Sequence, residues 1–111
     1  RKIYVTYTKT NLKTGEVYSG RASGFGTPAK VVDRRDRRHH KTKDGFEAAE
    51  LDKVSYNSDA IRGREQILMD ANGFAKSVGG TSGNAIQGIA DKNKNRKKYL
   101  RAARTKKNFL N

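Results

Sequence analysis

The opening segment, residues 2–8 (KIYVTYT), alternates in a period of two and is rich in β-branched and aromatic residues. That pattern is typical of a β-strand. A second short strand is predicted at 16–19 (EVYS), and residues 11–15 supply turn chemistry between the two. The chain therefore begins with a β-hairpin, which commits this part of the fold to an antiparallel sheet. One face of the first strand would carry Ile3, Val5 and Tyr7, and the other Tyr4, Thr6 and Thr8.

The segment that follows the hairpin predicts a helix. Thr27 is a suitable N-cap and Pro28 a suitable first helical residue. We expect this helix to run from Pro28 to about His40 and to be strongly basic in its second half. Residues 46–55 (FEAAELDKVS) are ambiguous, and we interpret them as a third strand.

The clearest helix is predicted over residues 59–72, where apolar residues form one stripe. Asn57 or Ser58 would cap its start, and the glycine that follows would end it. A short helix at 84–90 and a basic helix at 93–107 are also expected. The predicted fold is α+β: a small antiparallel sheet, formed by the hairpin and a third strand, flanked by three or four helices.

The composition excludes several classes of protein. The chain of 111 residues has 25 Lys and Arg against 11 Asp and Glu, a net charge of +14. It lacks cysteine, which excludes disulfides, thiolate metal sites and cysteine nucleophiles. No apolar run reaches the roughly 18–20 residues of a membrane span, so no membrane partner is expected. The excess of positive charge indicates a polyanionic partner, and nucleic acid is the commonest one.

The basic residues form two blocks. Residues 92–107 contain nine Lys or Arg and no acid, and residues 31–43 contain six Lys or Arg and two His. Such blocks are typical of a surface that follows a phosphate backbone, although a solvated surface has the same composition. The side chains predicted to contact nucleic acid are Arg21, Arg34, Arg37, Arg38, His40, Lys97, Lys98, Arg101 and Arg104.

One carboxylate is placed to face the core. Glu65 lies four residues after Ile61 and three before Leu68, so it shares their side of the helix. A carboxylate in that position is costly unless it is paired or holds a metal ion. The alternative, which spacing alone favours, is a glutamate at the edge of the stripe that reaches a surface arginine.

Two tyrosines are expected to meet across the hairpin. A turn centred near Asn11 or Leu12 would place Tyr18 close to the position opposite Tyr4. Two phenols on one sheet face can orient or deprotonate a water beside a phosphate. An ordinary cross-strand aromatic pair is the alternative.

The run RRDRRHH, residues 34–40, brings cations to one helix. Arg35 and His39 are four residues apart and would share a face, as would Arg34 and Arg38. An arginine can stabilise charge on a phosphate, and a histidine can exchange a proton near neutral pH. No second His or Cys cluster exists to complete a structural zinc site.

In order, these elements resemble the GIY-YIG nuclease family over roughly residues 2–90, with 91–111 a basic C-terminal helix or tail of the same single domain. The motif has two tyrosine-bearing strands, a helix with Arg and His, a helix with Glu, and a later Asn. Lys2 replaces the first glycine, and the long stretch 21–30 leaves Arg34 and Arg21 as alternatives for the arginine. The matching positions are Ile3-Tyr4, Val17-Tyr18-Ser19-Gly20, Arg35, His39, Glu65 and Asn84.

The resemblance implies a metal-dependent endonuclease that hydrolyses DNA. It implies that Glu65 binds one divalent cation, Mg²⁺, and that Tyr4 and Tyr18 activate and position the attacking water. Arg35 would neutralise phosphate charge, and His39 would assist proton transfer. The implied role of Asn84 is to orient groups around the metal. The alternatives are a metal-independent ribonuclease that uses His39 or His40, and a module that binds nucleic acid without cutting it.

Four segments, SGRASG, RRDRRHH, AIRGREQ and GGTSGNAI, are similar to the C-terminal toxin domains of bacterial polymorphic toxins. A start at Arg1, with no initiator Met and no signal sequence, would fit a piece cut from a longer secreted protein. The resemblance implies delivery into the cytoplasm of a target cell and a cognate acidic immunity protein as a partner. DNA is favoured over RNA as the substrate.

Overall fold

Three strands and three helices make up the fold in the computed structural model, which describes residues 1–111. The strands form one antiparallel sheet in the order β2-β1-β3, so the predicted α+β class is confirmed. None of the helices combines the length and hydropathy that crossing a membrane requires. The elements are β1 (Ile3–Thr10), β2 (Val17–Gly24), α1 (Pro28–Asp36), β3 (Glu50–Ser55), α2 (Ser58–Ala71) and α3 (Arg96–Ala103), with 3-10 turns at Thr42–Asp44, Lys76–Val78 and Lys106–Asn108.

The hairpin register differs from the sequence expectation. Thr10 pairs with Val17, which places Tyr18 opposite Lys9 and Tyr4 opposite Ser23. The Asn11 side chain accepts hydrogen bonds from the Lys13 and Thr14 backbone N–H groups at 3.0 and 3.2 Å. With this Asx turn the loop is centred between Lys13 and Thr14, which is later in the chain than the expected centre at Asn11 or Leu12. The prediction that Tyr4 and Tyr18 meet across the hairpin is therefore wrong.

The main core lies between the sheet and α1. Ile3, Val5 and Tyr7 of β1 are buried against Val31 and Val32, with Val54 of β3 beside them. Lys9 continues the same face and is also buried. Its ammonium group pairs with the Asp36 carboxylate and donates to Thr42 Oγ1 at 3.0 Å. This ion pair fixes the end of α1 against β1, because neither charge can be left alone in a buried position.

Helix α1 starts as predicted and ends early. Thr27 Oγ1 accepts a hydrogen bond from the Lys30 N–H at 3.3 Å, and Pro28 occupies the first turn. The helix stops at Asp36 instead of continuing to His40. Continuation would stack Arg34 over Arg38, and like charges four residues apart destabilise a helix.

Helix α2 packs on the sheet with one face and on α3 with another. Asn57 Oδ1 accepts from the Asp59 and Ala60 N–H groups at 2.9 and 3.2 Å, so Asn57 is the cap. Glu65 is buried, as its spacing predicted. A Cβ at Gly63 would overlap the Tyr99 carbonyl, so this glycine allows α3 to approach closely.

Three other segments differ from the expectation. The third strand is confirmed but begins only at Glu50. Residues 84–90 form no helix, because the Ile89 N–H donates to Gln66 Oε1 at 3.0 Å instead of to the preceding turn. The basic helix α3 is eight residues long and shorter than the predicted 93–107.

Both outer edges of the sheet are covered by loops. On β3, Leu110 N–H donates to the Val54 carbonyl at 2.9 Å, and the Asn111 side chain bonds Val54 N–H and the Asp52 carbonyl, each at 2.9 Å. On β2, the Asn84 side chain accepts from Ser19 N–H at 2.9 Å and donates to its carbonyl at 2.8 Å.

Candidate active site

A cavity of about 380 Å³ opens where β1, β2, α1 and α2 meet. It gathers phenol, guanidinium and carboxylate groups from residues far apart in the chain. Five of the residues singled out by the sequence line it, together with Tyr7. Those residues are Tyr4, Tyr7, Tyr18, Arg21, Arg35 and Glu65.

Tyr7 reaches this cavity because its cross-strand partner is a glycine. Gly20 lies opposite Tyr7, and a Cβ there would meet the Tyr7 ring at 2.5 Å from Cζ. The ring therefore occupies the space that a side chain at position 20 would fill. Tyr7 was not among the site residues predicted from the sequence. The available signal was the glycine itself, since a glycine within a strand marks the close approach of another group.

Behind Tyr7 lies His39. Its Nε2 is 2.9 Å from Tyr7 Oη, and its Nδ1 accepts a hydrogen bond from the Lys41 N–H at 3.1 Å. A backbone N–H can only donate, so Nδ1 carries no proton and the neutral ring carries its proton on Nε2. His39 therefore donates to Tyr7, which leaves the Tyr7 hydroxyl proton free to point elsewhere.

Burial and charge both act on His39. Burial, together with Arg35 and His40, lowers the pKa of His39 from 6.5 to about 4. The ring is neutral at pH 7, in agreement with its hydrogen bonds. His39 lies beyond the end of α1, so the prediction that it shares a helical face with Arg35 is wrong, although both side chains act on Tyr7.

The two phenols respond to the same charges, and Tyr18 adds to the rise in the pKa of Tyr7. Burial raises the pKa of Tyr7 and of Tyr18, and the positive charge of Arg35 opposes the increase in both. The negative charge of Glu65 adds to it. Both tyrosines are therefore hydroxyl groups at neutral pH, and Arg35 is the cation that favours their deprotonation.

Glu65 is 9 % exposed and accepts a hydrogen bond from Arg21 Nε at 3.2 Å. Burial raises the pKa of Glu65, and Arg21 partly opposes that effect. A Cβ at Gly88 would fall 2.5 Å from Glu65 Oε1, so the absence of a side chain there leaves the carboxylate its space. No group of three or more acidic or histidine side chains is arranged to hold a metal ion, so Glu65 is a lone carboxylate ligand candidate.

The structure distinguishes the arginines of the basic run. Arg35 lines the cavity and takes part in no ion pair. Arg34 instead donates to the Phe25 carbonyl, outside the cavity. Arg37 and Arg38 are exposed to solvent. Arg35 is thus the arginine of the run that lies in the cavity and acts on Tyr7 and Tyr18, and Arg21 is the second arginine there.

Tyr4 lines the cavity from the other face of β1. It pairs with Ser23 on one side and Ser55 on the other, and the Lys2 ammonium lies 5.6 Å from its ring centroid. Its hydroxyl has no histidine partner of the kind that Tyr7 has. The position expected for Tyr4 beside Tyr18 is taken by Tyr7.

Asn84 and His40 lie outside this cavity. Both Asn84 amide atoms are bonded to the Ser19 backbone, so Asn84 joins its loop to β2. His40 is exposed and stacks on His39 with ring centroids 4.7 Å apart. Both line a second cavity that adjoins the first.

The basic residues of α3 are separate from the candidate active site. Lys97, Arg101 and Arg104 line an open cleft that has no lining residue in common with it. Lys98 is 3.5 Å from Asp59 of α2 and is partly neutralised by it. These side chains can add to nucleic-acid affinity, but they do not contact the cavity.

No protein-family model matches the chain, no curated protein matches it, and no solved structure matches it. Its function is therefore inferred from the residues of the cavity.

Proposed function

We propose that this protein is a metal-dependent endonuclease that hydrolyses phosphodiester bonds, with DNA as the favoured substrate. One observation carries the proposal: Tyr7, Tyr18, Arg35 and Glu65, from four different elements, converge on one cavity. Those groups supply a water-orienting pair, a cation for the phosphate and a carboxylate for a metal ion. The net charge of +14 supports a nucleic-acid substrate.

The chemistry of Glu65 fits a single magnesium ion. Mg²⁺ is commonly held by one or two carboxylates together with substrate phosphate and water, so one carboxylate in the cavity is sufficient. Because residue 88 is a glycine, no Cβ obstructs the space beside Glu65 Oε1. When bound, the ion would supply positive charge to the phosphoryl group and to the leaving oxygen.

The tyrosines of the chain would orient the attacking water. His39 donates to Tyr7 Oη, so Tyr7 can direct its own proton, or a lone pair, into the cavity. Tyr18 offers a second hydroxyl beside it. Proton removal through Tyr7 requires the pKa of its hydroxyl to fall, and Arg35 already acts in that direction.

The two arginines of the cavity would hold the phosphate. Arg35 has no protein carboxylate to neutralise it, so a phosphate oxygen is its available partner. Arg21 is bound to Glu65, and a cation at Glu65 would free its guanidinium for the substrate.

The protein would act as the toxin domain of a larger secreted bacterial protein, in the cytoplasm of a target cell. The support is the similarity of its four segments to such domains. A strongly basic surface also suits an acidic immunity protein as the cognate inhibitor.

A metal-free ribonuclease that uses His39 or His40 is the weaker candidate, and the pKa of both histidines is lowered. That mechanism needs a histidine that accepts and returns a proton near neutral pH. The lowered pKa of His39 and the use of both its ring nitrogens in hydrogen bonds oppose this role.

The proposal is tested by incubating the domain with plasmid DNA and with total RNA, each with Mg²⁺ or with EDTA. Nicking of the plasmid that requires Mg²⁺ is the expected result. Degradation of RNA that EDTA does not prevent would support a metal-free ribonuclease instead. If neither substrate is cleaved, the result would support a module that binds nucleic acid without cutting it.

A further inference from the structure

A second cavity, of about 320 Å³, lies next to the candidate active site. Tyr18 and Glu65 line both cavities, so the two adjoin at these side chains. The remaining wall comes from the His40–Lys41 turn, from Met69 of α2 and from the irregular segment 84–88. Its volume lies within the range of about 300–1,000 Å³ that is typical of small-ligand sites.

The two cavities differ in chemistry. The candidate active site presents Arg21, Arg35 and hydroxyl groups. The second cavity is walled by Met69, Ala85 and Ile86, and the amides of Asn84 and Gln87 and the imidazole of His40 also line it. Ile86 is 72 % exposed, so its aliphatic side chain is available to contact a bound ring.

We propose that this second cavity binds the base of the nucleotide next to the phosphate that is cut. The inference rests on the proposed nuclease function and deepens it. A phosphate suits the cationic cavity, and a flat ring with an apolar face suits the wall formed by Ala85 and Ile86, which are exposed. The exposed imidazole of His40, held in place by stacking on His39, offers a second flat surface. Lys41 at the rim provides positive charge for the next phosphate.

The consequence concerns the form of the substrate. A base can enter a side cavity only when it is not stacked within a duplex. The preferred substrate is therefore single-stranded, or unpaired at the position of the cut, and base identity matters little because every base has a π-face.

The test measures binding without cleavage. The Glu65→Gln variant in EDTA is titrated against a fluorescent 12-nucleotide oligothymidine and against a 12-residue abasic strand with the same phosphates. We expect the thymidine strand to bind about five- to 160-fold more tightly, the range that about 1–3 kcal/mol per stacked base implies. Adding Ile86→Ser should lower that ratio by about fivefold or more and leave abasic-strand affinity unchanged.

The matched control is Leu12→Ser, since Leu12 is 77 % exposed on the hairpin loop, away from both cavities. Equal affinities for the two strands, or a ratio that Ile86→Ser leaves intact, would overturn the base site. Magnesium-dependent cleavage by the wild type would then still support the nuclease proposal. A ratio that depends on Ile86 in a protein that cuts nothing would support the base site and overturn the nuclease.

Discussion

At the residue scale, Glu65 is a buried carboxylate with a single ion-pair partner. Only Arg21 pairs with it, and burial raises the pKa of its carboxyl group. Ionised Glu65 therefore costs the folded state stability, which is a common property of groups kept for function. Its neighbours in the cavity are phenols and guanidinium groups, which handle water and phosphate but cannot replace a carboxylate as a metal ligand.

Replacement of this carboxylate should separate cleavage from binding. We expect Glu65→Gln to lower the rate of plasmid nicking by about 100-fold or more and to leave DNA affinity within a few-fold, since the substitution removes no group that holds a phosphate. The folded-state pKa is raised, so the wild type loses stability as the pH rises through it. The variant should therefore melt at a higher temperature at pH 7, and the difference should vanish near pH 4.

The control for this experiment is Glu16→Gln, which breaks an ion pair with Lys76 away from the cavity. Nicking assays and thermal melts of both variants provide the comparison. Normal cleavage by Glu65→Gln would show that the metal site is elsewhere.

The tyrosine that activates water can be identified by matched variants. Tyr7→Phe removes the hydroxyl held by His39 and should lower cleavage by about 100-fold, whereas Tyr4→Phe should cost less than about tenfold. Initial rates at one Mg²⁺ concentration measure both. A larger loss of cleavage in Tyr4→Phe would show that Tyr4, the residue that the sequence motif indicated, activates the water.

His39 should impose a pH dependence on stability. Its pKa is lowered from 6.5 to about 4 on folding, so the unfolded chain binds the proton more readily. Stability is then lost as the pH falls below 6.5, and the cost between pH 7 and pH 5 is at most about 2 kcal/mol, since solvent screens part of the effect. His39→Gln should lack this decrease, whereas His40→Gln should keep it. Urea unfolding at both pH values measures the effect, and an equal decrease in wild type and His39→Gln would contradict it.

At the element scale, α2 connects the cavity to the basic helix. One face of α2 carries Ile61 and Glu65 to the sheet, and Gly63 on another face admits the backbone of α3. The position of α3 thus depends on a missing side chain. A helix with a glycine in its interior gives up roughly 1 kcal/mol of helix propensity, which close packing offsets.

Gly63→Ala is therefore expected to destabilise the fold by about 1–3 kcal/mol, although alanine favours helix. The added methyl group overlaps the Tyr99 carbonyl, which is backbone and cannot rotate away. Gly24→Ala is the control, because the nearest atom to its new Cβ is the flexible end of Arg34 at 3.1 Å. Denaturant unfolding gives both free energies. Stabilisation by Gly63→Ala would show that α3 does not pack closely here.

The local elements could be predicted from the sequence because their signals are local. The alternation of β1, the Thr27 and Asn57 caps, and the burial of Glu65 follow from spacing and side-chain chemistry. Relations between elements were harder to predict. The hairpin register depends on the Asn11 side chain, and a shift of a few residues replaced Tyr4 by Tyr7 beside Tyr18.

Long-range hydrogen bonds account for the remaining differences. The buried Lys9–Asp36 pair fixes the end of α1 against β1, and His39 hydrogen-bonds Tyr7 on β1. The backbone of Ile89 is satisfied by Gln66 of α2, so a helix at 84–90 is not needed. Each of these partners is more than 20 residues away, and no local pattern reveals it.

At the scale of the whole molecule, positive charge covers more than one surface. The candidate active site contains Arg21 and Arg35, and a separate cleft on α3 contains Lys97, Arg101 and Arg104. A long polyanion can bind several such surfaces at once, and each phosphate that is neutralised releases counterions. Affinity should therefore depend strongly on salt.

Neutralising the α3 cleft tests this arrangement. The triple variant Lys97→Gln, Arg101→Gln, Arg104→Gln should bind duplex DNA more weakly, and the slope of log affinity against log salt should fall by about 0.9 for each phosphate that is no longer neutralised. The control removes three exposed lysines elsewhere, at Lys13, Lys30 and Lys76. Fluorescence anisotropy at several salt concentrations gives the slopes. An unchanged slope in the α3 variant would exclude that cleft from DNA binding.

The covered sheet edges have a consequence for how other proteins can engage the molecule. A free edge strand recruits strands of other chains, through partner recognition or through aggregation. Here the Asn111 and Asn84 amides occupy backbone groups of β3 and β2. These contacts block strand addition at Val17–Ser19 of β2 and Asp52–Val54 of β3, which lowers the tendency of these segments towards strand-to-strand aggregation. A protein that binds over these segments must recognise side chains and charge, so its specificity could change by surface substitution without any change of fold.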